Sequence, residues 1–169
     1  GGGGKLTVNR DLVADLIQSR TRINVSVGPA ARLDVPTLLT QLDRYPYGCA
    51  EQTVSRAMPL VVANAVAAQV GLAQDKALKE RVQGAIGRVF EMQDSAGAFG
   101  VWGPSDADLW LTAYVTDFLT RAREAGYTVP SEGFNRALDR LQNFLAYAED
   151  IQKGGEDRAY ALYVLARNG

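Results

Sequence analysis

From Val35 to the C-terminus, apolar residues return at spacings of three and four in one segment after another, and this rhythm restricts the fold more than any other property of the sequence. Asp34 can cap a first segment that begins at Val35-Pro36, lines up Leu38, Leu39 and Leu42, and stops at Tyr45-Pro46-Tyr47-Gly48. A second runs from Cys49 to about Val70 and meets Pro59, which is expected to kink or divide it because proline lacks an N–H and crowds the preceding turn. A third covers about Asp75 to Gln93, with Leu78, Val82, Ile86, Val89 and Phe90 on one face. A fourth starts after Ser105-Asp106 and reaches Ala125, a fifth runs from Ser131 to about Ala148, and a sixth from Glu156 to Ala166. Each has an apolar face that needs a neighbour.

The segments come in pairs, and the pairs resemble one another. Asp108 to Val115 can be laid over Glu156 to Val164, each followed by a basic last turn and a glycine. Repeated helical hairpins bury their faces only against adjacent hairpins, so the pattern predicts a solenoid or a closed ring. About three hairpins fit, fewer than a closed ring needs, and the expectation is a piece of a larger protein. The first thirty residues read differently. Leu6 to Val8 and Ile23 to Val27 alternate apolar and polar as half-buried strands do, Leu12, Val13, Leu16 and Ile17 suggest a short helical turn between them, and Gly28-Pro29 punctuates. The expected organisation is a strand-like linker over 1–30 and a mainly helical part over 31–169.

Composition narrows the chemistry. The 169 residues include one cysteine and no histidine, so no Ser-His-Asp or Cys-His nucleophile system, His-ligated metal, cysteine-cluster metal site or internal disulfide can be built within the chain. A formal charge of −1 gives no reason to expect nucleic acid as a partner. The uncharged stretch from Ala57 to Gln74 contains Pro59, Asn64, Gln69 and Gly71 and is largely alanine, which reads as a buried helix rather than a membrane span. Gly1 to Gly4 is followed by no apolar run and is not expected to be a signal peptide.

The most informative stretch is Tyr45-Pro46-Tyr47-Gly48-Cys49-Ala50-Glu51-Gln52-Thr53, which puts the single cysteine at the mouth of a helix. Helix N-terminal amides and the positive end of the dipole stabilise a thiolate and improve the sulfur as nucleophile and leaving group. Residues three apart face each other across one turn, so the sulfur can meet the side-chain carbonyl of Gln52. Attack on that amide with loss of ammonia yields an internal thioester. Gly48 is expected to supply backbone freedom, and Tyr45 and Tyr47 to bring aromatic surface over the bond and keep water away. Glu51 is equally well read as a first-turn acid favoured by the dipole or as a group near the leaving sulfur.

Gly48-Cys49-Ala50-Glu51-Gln52 resembles the thioester motif of the alpha-2-macroglobulin and complement family, whose usual form has glycine where this chain has Ala50. The alanine form with a preceding Tyr-Pro-Tyr, followed by Thr53-Val54-Ser55-Arg56-Ala57-Met58-Pro59-Leu60, is similar to the bacterial alpha-2-macroglobulins, and the likeness extends from about Val25 to the C-terminus. The resemblance implies an α/α toroid, here an incomplete ring, inserted into a β-rich domain from which residues 1–30 would come. It implies a covalent protease trap of the bacterial periplasm or cell envelope rather than an enzyme, with no cofactor and no catalytic residue in the turnover sense. A protease cuts a bait segment elsewhere, the thioester is exposed, and the Gln52 carbonyl acylates a lysine amine of the protease as Cys49 is released. Complement members that favour hydroxyl targets use a histidine; its absence from these 169 residues agrees with direct attack by amines, with a histidine elsewhere in the parent protein left open. The implied partners are target proteases and the remaining domains of the same protein. The chain alone is expected to leave the Cys49–Gln52 pair unshielded, and to self-associate through an unpaired apolar face.

The competing readings are structural. A lone cysteine is commonly a small buried hydrophobe, and the alternative function is a noncovalent helical-ring module with an inert Cys49. Gln93 to Gly100 resembles the glutamine-and-aromatic turn of terpene cyclases, but their D-x-D-D acid motif fails here at Leu109. The shared feature is then a turn, with a glycine at positive φ, an inward aromatic, and Ser105 or Asp106 capping the next helix. Trp102, Trp110 and Tyr114 are expected in the core, and Lys76, Lys79, Glu80 and Arg81 on a solvated face.

Overall fold

The computed structural model describes residues 48–69, 75–105, 107–147 and 155–169, together with the isolated positions Thr7 and Ala14. The chain divides into two compact units, Gly1–Leu38 and Leu39–Gly169. Of the first, only Thr7 and Ala14 are described, and both are exposed. The proposed strands, the first helical segment from Val35, the division at residue 30, and both Tyr45 and Tyr47 lie outside the described residues.

Five helices make up the described part of the second unit: α1 (Ala50–Gln69), α2 (Lys76–Phe90), α3 (Leu109–Glu124), α4 (Ser131–Ala146) and α5 (Gly155–Asn168). No strand is present among the described residues; one isolated antiparallel bridge joins Gln93 and Phe99. Helix α3 touches all four others. It lies between α1 and α5, while α2 packs on α1 and α3 and α4 on α3 and α5. This is an arc of paired helices, the mainly α, incomplete-toroid architecture that the repeating hairpins imply.

Burial follows the helical stripes. Val54, Ala57, Leu60 and Val61 of α1, Val82, Ile86 and Val89 of α2, Leu111, Val115, Phe118, Leu119 and Ala122 of α3, and Phe134 and Ala137 of α4 form one core. Leu141, Ala161, Val164 and Ala113 form a second where α5 closes on α3. Pro59 neither ends nor divides α1, which is assigned as helix throughout. The buried stripe continues on both sides of the proline, so both halves are held on the same core, and the loss of a single backbone hydrogen bond is outweighed. Among the described residues no helix is long and apolar enough to cross a membrane.

Helix α3 buries polar groups that the hydrophobic pattern did not disclose. Thr116 Oγ1 donates to the Thr112 carbonyl at 2.6 Å and Thr120 Oγ1 to the Thr116 carbonyl at 2.8 Å, the back-bonding that satisfies a hydroxyl inside a helix. Asp117 is buried and paired, accepting from Arg121 Nε at 3.0 Å and from the Tyr160 hydroxyl of α5 at 3.0 Å. Burial and the neighbouring Asp117 carboxylate push the Tyr160 phenol upward from its ordinary value. At the far end Arg167 of α5 forks onto Glu124 of α3 and holds its carboxyl below the usual carboxylate range.

The solvated face of α2 is as the charge pattern implies, with Lys76, Lys79, Glu80 and Arg81 all exposed. The tryptophans are not in the core. Trp102 is 65% exposed and Trp110 40%, while Tyr114 is partly buried. Trp102 lies in a loop, and Trp110 opens α3, where the helix emerges from the core and the indole stacks instead on Tyr114.

Candidate functional site

Cys49 is the residue immediately before α1, and its backbone carbonyl accepts the first helical bond from Thr53 N–H at 2.9 Å. That makes it the N-cap. Its Sγ accepts from the Gln52 N–H at 3.4 Å, so sulfur occupies the place that a serine, threonine or aspartate oxygen takes in an ordinary cap. The spacing Cys-x-x-Gln is that of a capping box, in which the third helical residue reaches its side chain back to the cap. Here the box is half made: sulfur receives the Gln52 amide, but Gln52 Oε1 is buried and has no hydrogen-bond partner.

Cys49 has no disulfide partner and is only 4% exposed. The sulfur of the pair expected to stand unshielded is thus covered, while Gln52 is partly exposed. Ala50 is fully buried behind it, Gly48 is partly buried, and Glu51 is exposed on the side of α1 away from the core. An exposed first-turn carboxylate suits the helix dipole. Among the described residues no group of His, Cys, Asp and Glu is arranged to hold a metal.

The turn between α2 and α3 fixes where α1 starts. Gln93 Nε2 donates to the Gly97 carbonyl at 3.1 Å and to the Gly133 carbonyl of α4 at 2.8 Å. Asp94 closes the tip, accepting from Ala98 N–H at 2.9 Å, and Gly97 takes a φ of 96°, pressed against the backbone carbonyl of Arg136. Phe99 is fully buried. These are the structural roles expected of Gln93 to Gly100. The turn then delivers the Val101 carbonyl to the Ala50 N–H at 2.9 Å, which satisfies one of the free donors at the mouth of α1. Gly100 makes this possible, because any side chain there would strike the carbonyls of Gly103 and Ser105. A second tie lies one turn further on, where Ser55 Oγ and the Tyr114 hydroxyl are 3.0 Å apart.

The cap of α3 is not Ser105, which sits in the preceding bend, and Asp106 lies outside the described residues. Asp108 caps it, accepting from Leu111 N–H at 2.7 Å. Sequence reading missed Val101, since a backbone carbonyl leaves no mark in a sequence. It also passed over Arg56, whose Nη2 is buried without a partner one turn after Gln52. The signal was available there, in a cation at the fourth position after the glutamine.

An arc of paired helices with a Cys-x-x-Gln cap at the mouth of one of them defines a class of domain, and comparison places the chain in it. Residues 21–154 match the family described as the A-macroglobulin TED domain, and the chain belongs to the alpha-2-macroglobulin family. The relatives named next are bacterial. Alpha-2-macroglobulin of Escherichia coli strain K12 is 38% identical over 148 residues, covering 80% of this chain and 9% of that protein. A crystal structure of Salmonella alpha-2-macroglobulin reacted with methylamine superposes with a TM-score of 0.67 at 36% identity, over 81% of this chain and 10% of that one. A crystal structure of trypsin-activated alpha-2-macroglobulin from Escherichia coli gives 0.63 at 37% identity, over 73% and 9%. The chain thus spans about a tenth of the length of these relatives.

Proposed function

We propose that the chain is the reactive part of a protein that traps proteases, and that Cys49 and Gln52 close an internal thioester within it. The observation that carries this reading is the half-made capping box, with a buried sulfur on the Gln52 amide and an unpaired Gln52 carbonyl oxygen on the adjoining turn. In an ordinary capping box the side-chain oxygen at the third helical position is bonded. Here it is free to change its chemistry.

The steps balance without an added reagent. The Cys49 thiolate adds to Gln52 Cδ, the carbonyl pair moves onto Oε1, and its return expels Nε2 as ammonia, which carries away the proton lost by the thiol. When an amine later adds to Cδ, the same pair moves out and back, the C–S bond breaks, and Cys49 leaves as thiolate; the surplus proton on nitrogen passes to sulfur or solvent. The product is an amide between Gln52 and the attacker. One bond is used once, so this is single-turnover acyl transfer and not enzyme catalysis, and the residues call for no cofactor.

Membership of the family, and relatives whose structures are described as activated by trypsin or reacted with methylamine, support proteases as the targets and lysine amines as the groups acylated. The lack of histidine in these 169 residues supports direct attack by amines. A protein of this kind would act in the periplasm or cell envelope, where foreign proteases arrive.

The deciding measurement is the intact mass of the full-length protein to which the chain belongs, before and after methylamine. The native protein is expected to be lighter by one ammonia, and methylamine to add once and release one titratable thiol. Capture of a protease should fail in Cys49→Ala. Native protein with no mass deficit, or unchanged covalent capture by Cys49→Ala, would sink the thioester and leave a noncovalent binding module.

A further inference from the structure

Among the described residues four buried side-chain atoms have no hydrogen-bond partner: Gln52 Oε1, Arg56 Nη2, Arg136 Nε and Arg140 Nε. The last two belong to guanidinium groups otherwise engaged, Arg136 with Glu132 and Arg140 over the Phe144 ring. Gln52 and Arg56 have no such compensation. They are successive members of one stripe of α1, at i and i+4, where Cβ atoms stand about 6 Å apart. They are also complementary, one an amide oxygen that only accepts and the other a guanidinium that only donates. Burying either alone carries a desolvation penalty.

Helical side chains lean toward the N-terminus, so Arg56 is within reach of the turn that carries Gln52, as Gln52 is of Cys49. The order Cys49, Gln52, Arg56 therefore places nucleophile, acyl carbon and cation along one edge of the helix. We propose that Arg56 is the oxyanion-stabilising group of the acyl-transfer site, offsetting the negative charge that gathers on Gln52 Oε1 when sulfur or an amine adds to Cδ. This rests on the thioester reading. In the ground state the oxygen is neutral and no bond to Arg56 is made. In the tetrahedral intermediate the oxygen carries a full charge on the same helix stripe as a guanidinium whose Nη2 is out of solvent, which lowers the barrier because the interaction is stronger there than in the reactant. The same oxyanion forms when the thioester closes and when it is consumed, so Arg56 serves both steps. It forms no covalent bond and changes no proton count.

The test uses Arg56→Met, Arg56→Gln and Arg56→Lys in the full-length protein that carries this chain. Each is followed by intact mass, by the rate of thiol release with methylamine, and by thermal unfolding. Arg56→Met is expected to react about 100-fold more slowly, or not to close the bond at all, while melting near the unsubstituted protein. Arg56→Lys should recover more of the rate than Arg56→Gln, an order set by charge. A closed bond in Arg56→Met that reacts at the unsubstituted rate overturns the proposal, as do rates that track melting temperature instead of charge. If Arg56→Met does not fold, the lysine and glutamine variants decide by the same ordering. Failure of the thioester reading is seen separately, as the missing ammonia deficit in the unsubstituted protein.

Discussion

At the scale of single residues, two positions carry most of what this chain is built to hold. Cys49 does two things with one side chain: it caps α1 through sulfur, and it is buried at 4% exposure. A serine would cap as well, so helix initiation by itself does not call for a thiol here. Gly97 is the structural counterpart. Its φ of 96° and its contact with the Arg136 carbonyl leave no room for Cβ, and the turn it belongs to supplies the Val101 carbonyl to Ala50. Gly97→Ala should cost at least about 2 kcal/mol in a urea titration. A variant as stable as the parent would mean that the turn adapts freely. The cysteine and its glutamine were legible because their spacing is local. Arg56 was legible as a residue, but its lack of a partner was not, since that depends on every atom packed around it.

At the scale of elements, the three-and-four rhythm located all five described helices, with ends that differ by a few residues from those read in the sequence. Periodicity is a property of neighbouring residues and needs no tertiary information. Caps are harder, because Ser105, Asp106 and Asp108 are all acceptable chemically and the choice falls to whichever lies where the core lets the helix begin. Asp108→Ala should lower stability by about 1 kcal/mol in the same titration, from the loss of the 2.7 Å bond to Leu111 N–H, whereas Ser105→Ala should change it little. Equal effects of the two would show that the start of α3 is not held by its cap. Helix α3 illustrates the limit of pattern reading in another way. Its Thr112, Thr116, Asp117 and Thr120 are buried although a helical wheel marks them as polar. Asp117 and Thr120 are bonded by Tyr160 and Asn168 of α5, Thr112 by the Phe99 N–H, and Thr116 by the Thr112 carbonyl.

At the scale of the whole described unit, the arc has two flanks with apolar residues in solvent: Val62 and Val66 on α1, each 50% exposed, and Leu162 and Tyr163 on α5, 57% and 46%. A flank of this kind is what a further helical pair would cover in a paired-helix repeat. The 169-residue chain is therefore expected to self-associate, with an average mass in sedimentation equilibrium that rises with concentration and falls back in Leu162→Glu. A strictly monomeric chain at high concentration would count against this. The helical class, the pairing of the segments and the Cys-x-x-Gln cap were determined by the sequence itself, because each depends on residues within a turn or two of one another. Which side chains end in solvent, which carbonyl meets Ala50, how α5 satisfies the polar groups of α3, and that Cys49 is buried were decided only by the tertiary structure. Those outcomes depend on atoms brought together from distant parts of the chain, and no local pattern encodes which of several acceptable partners will arrive.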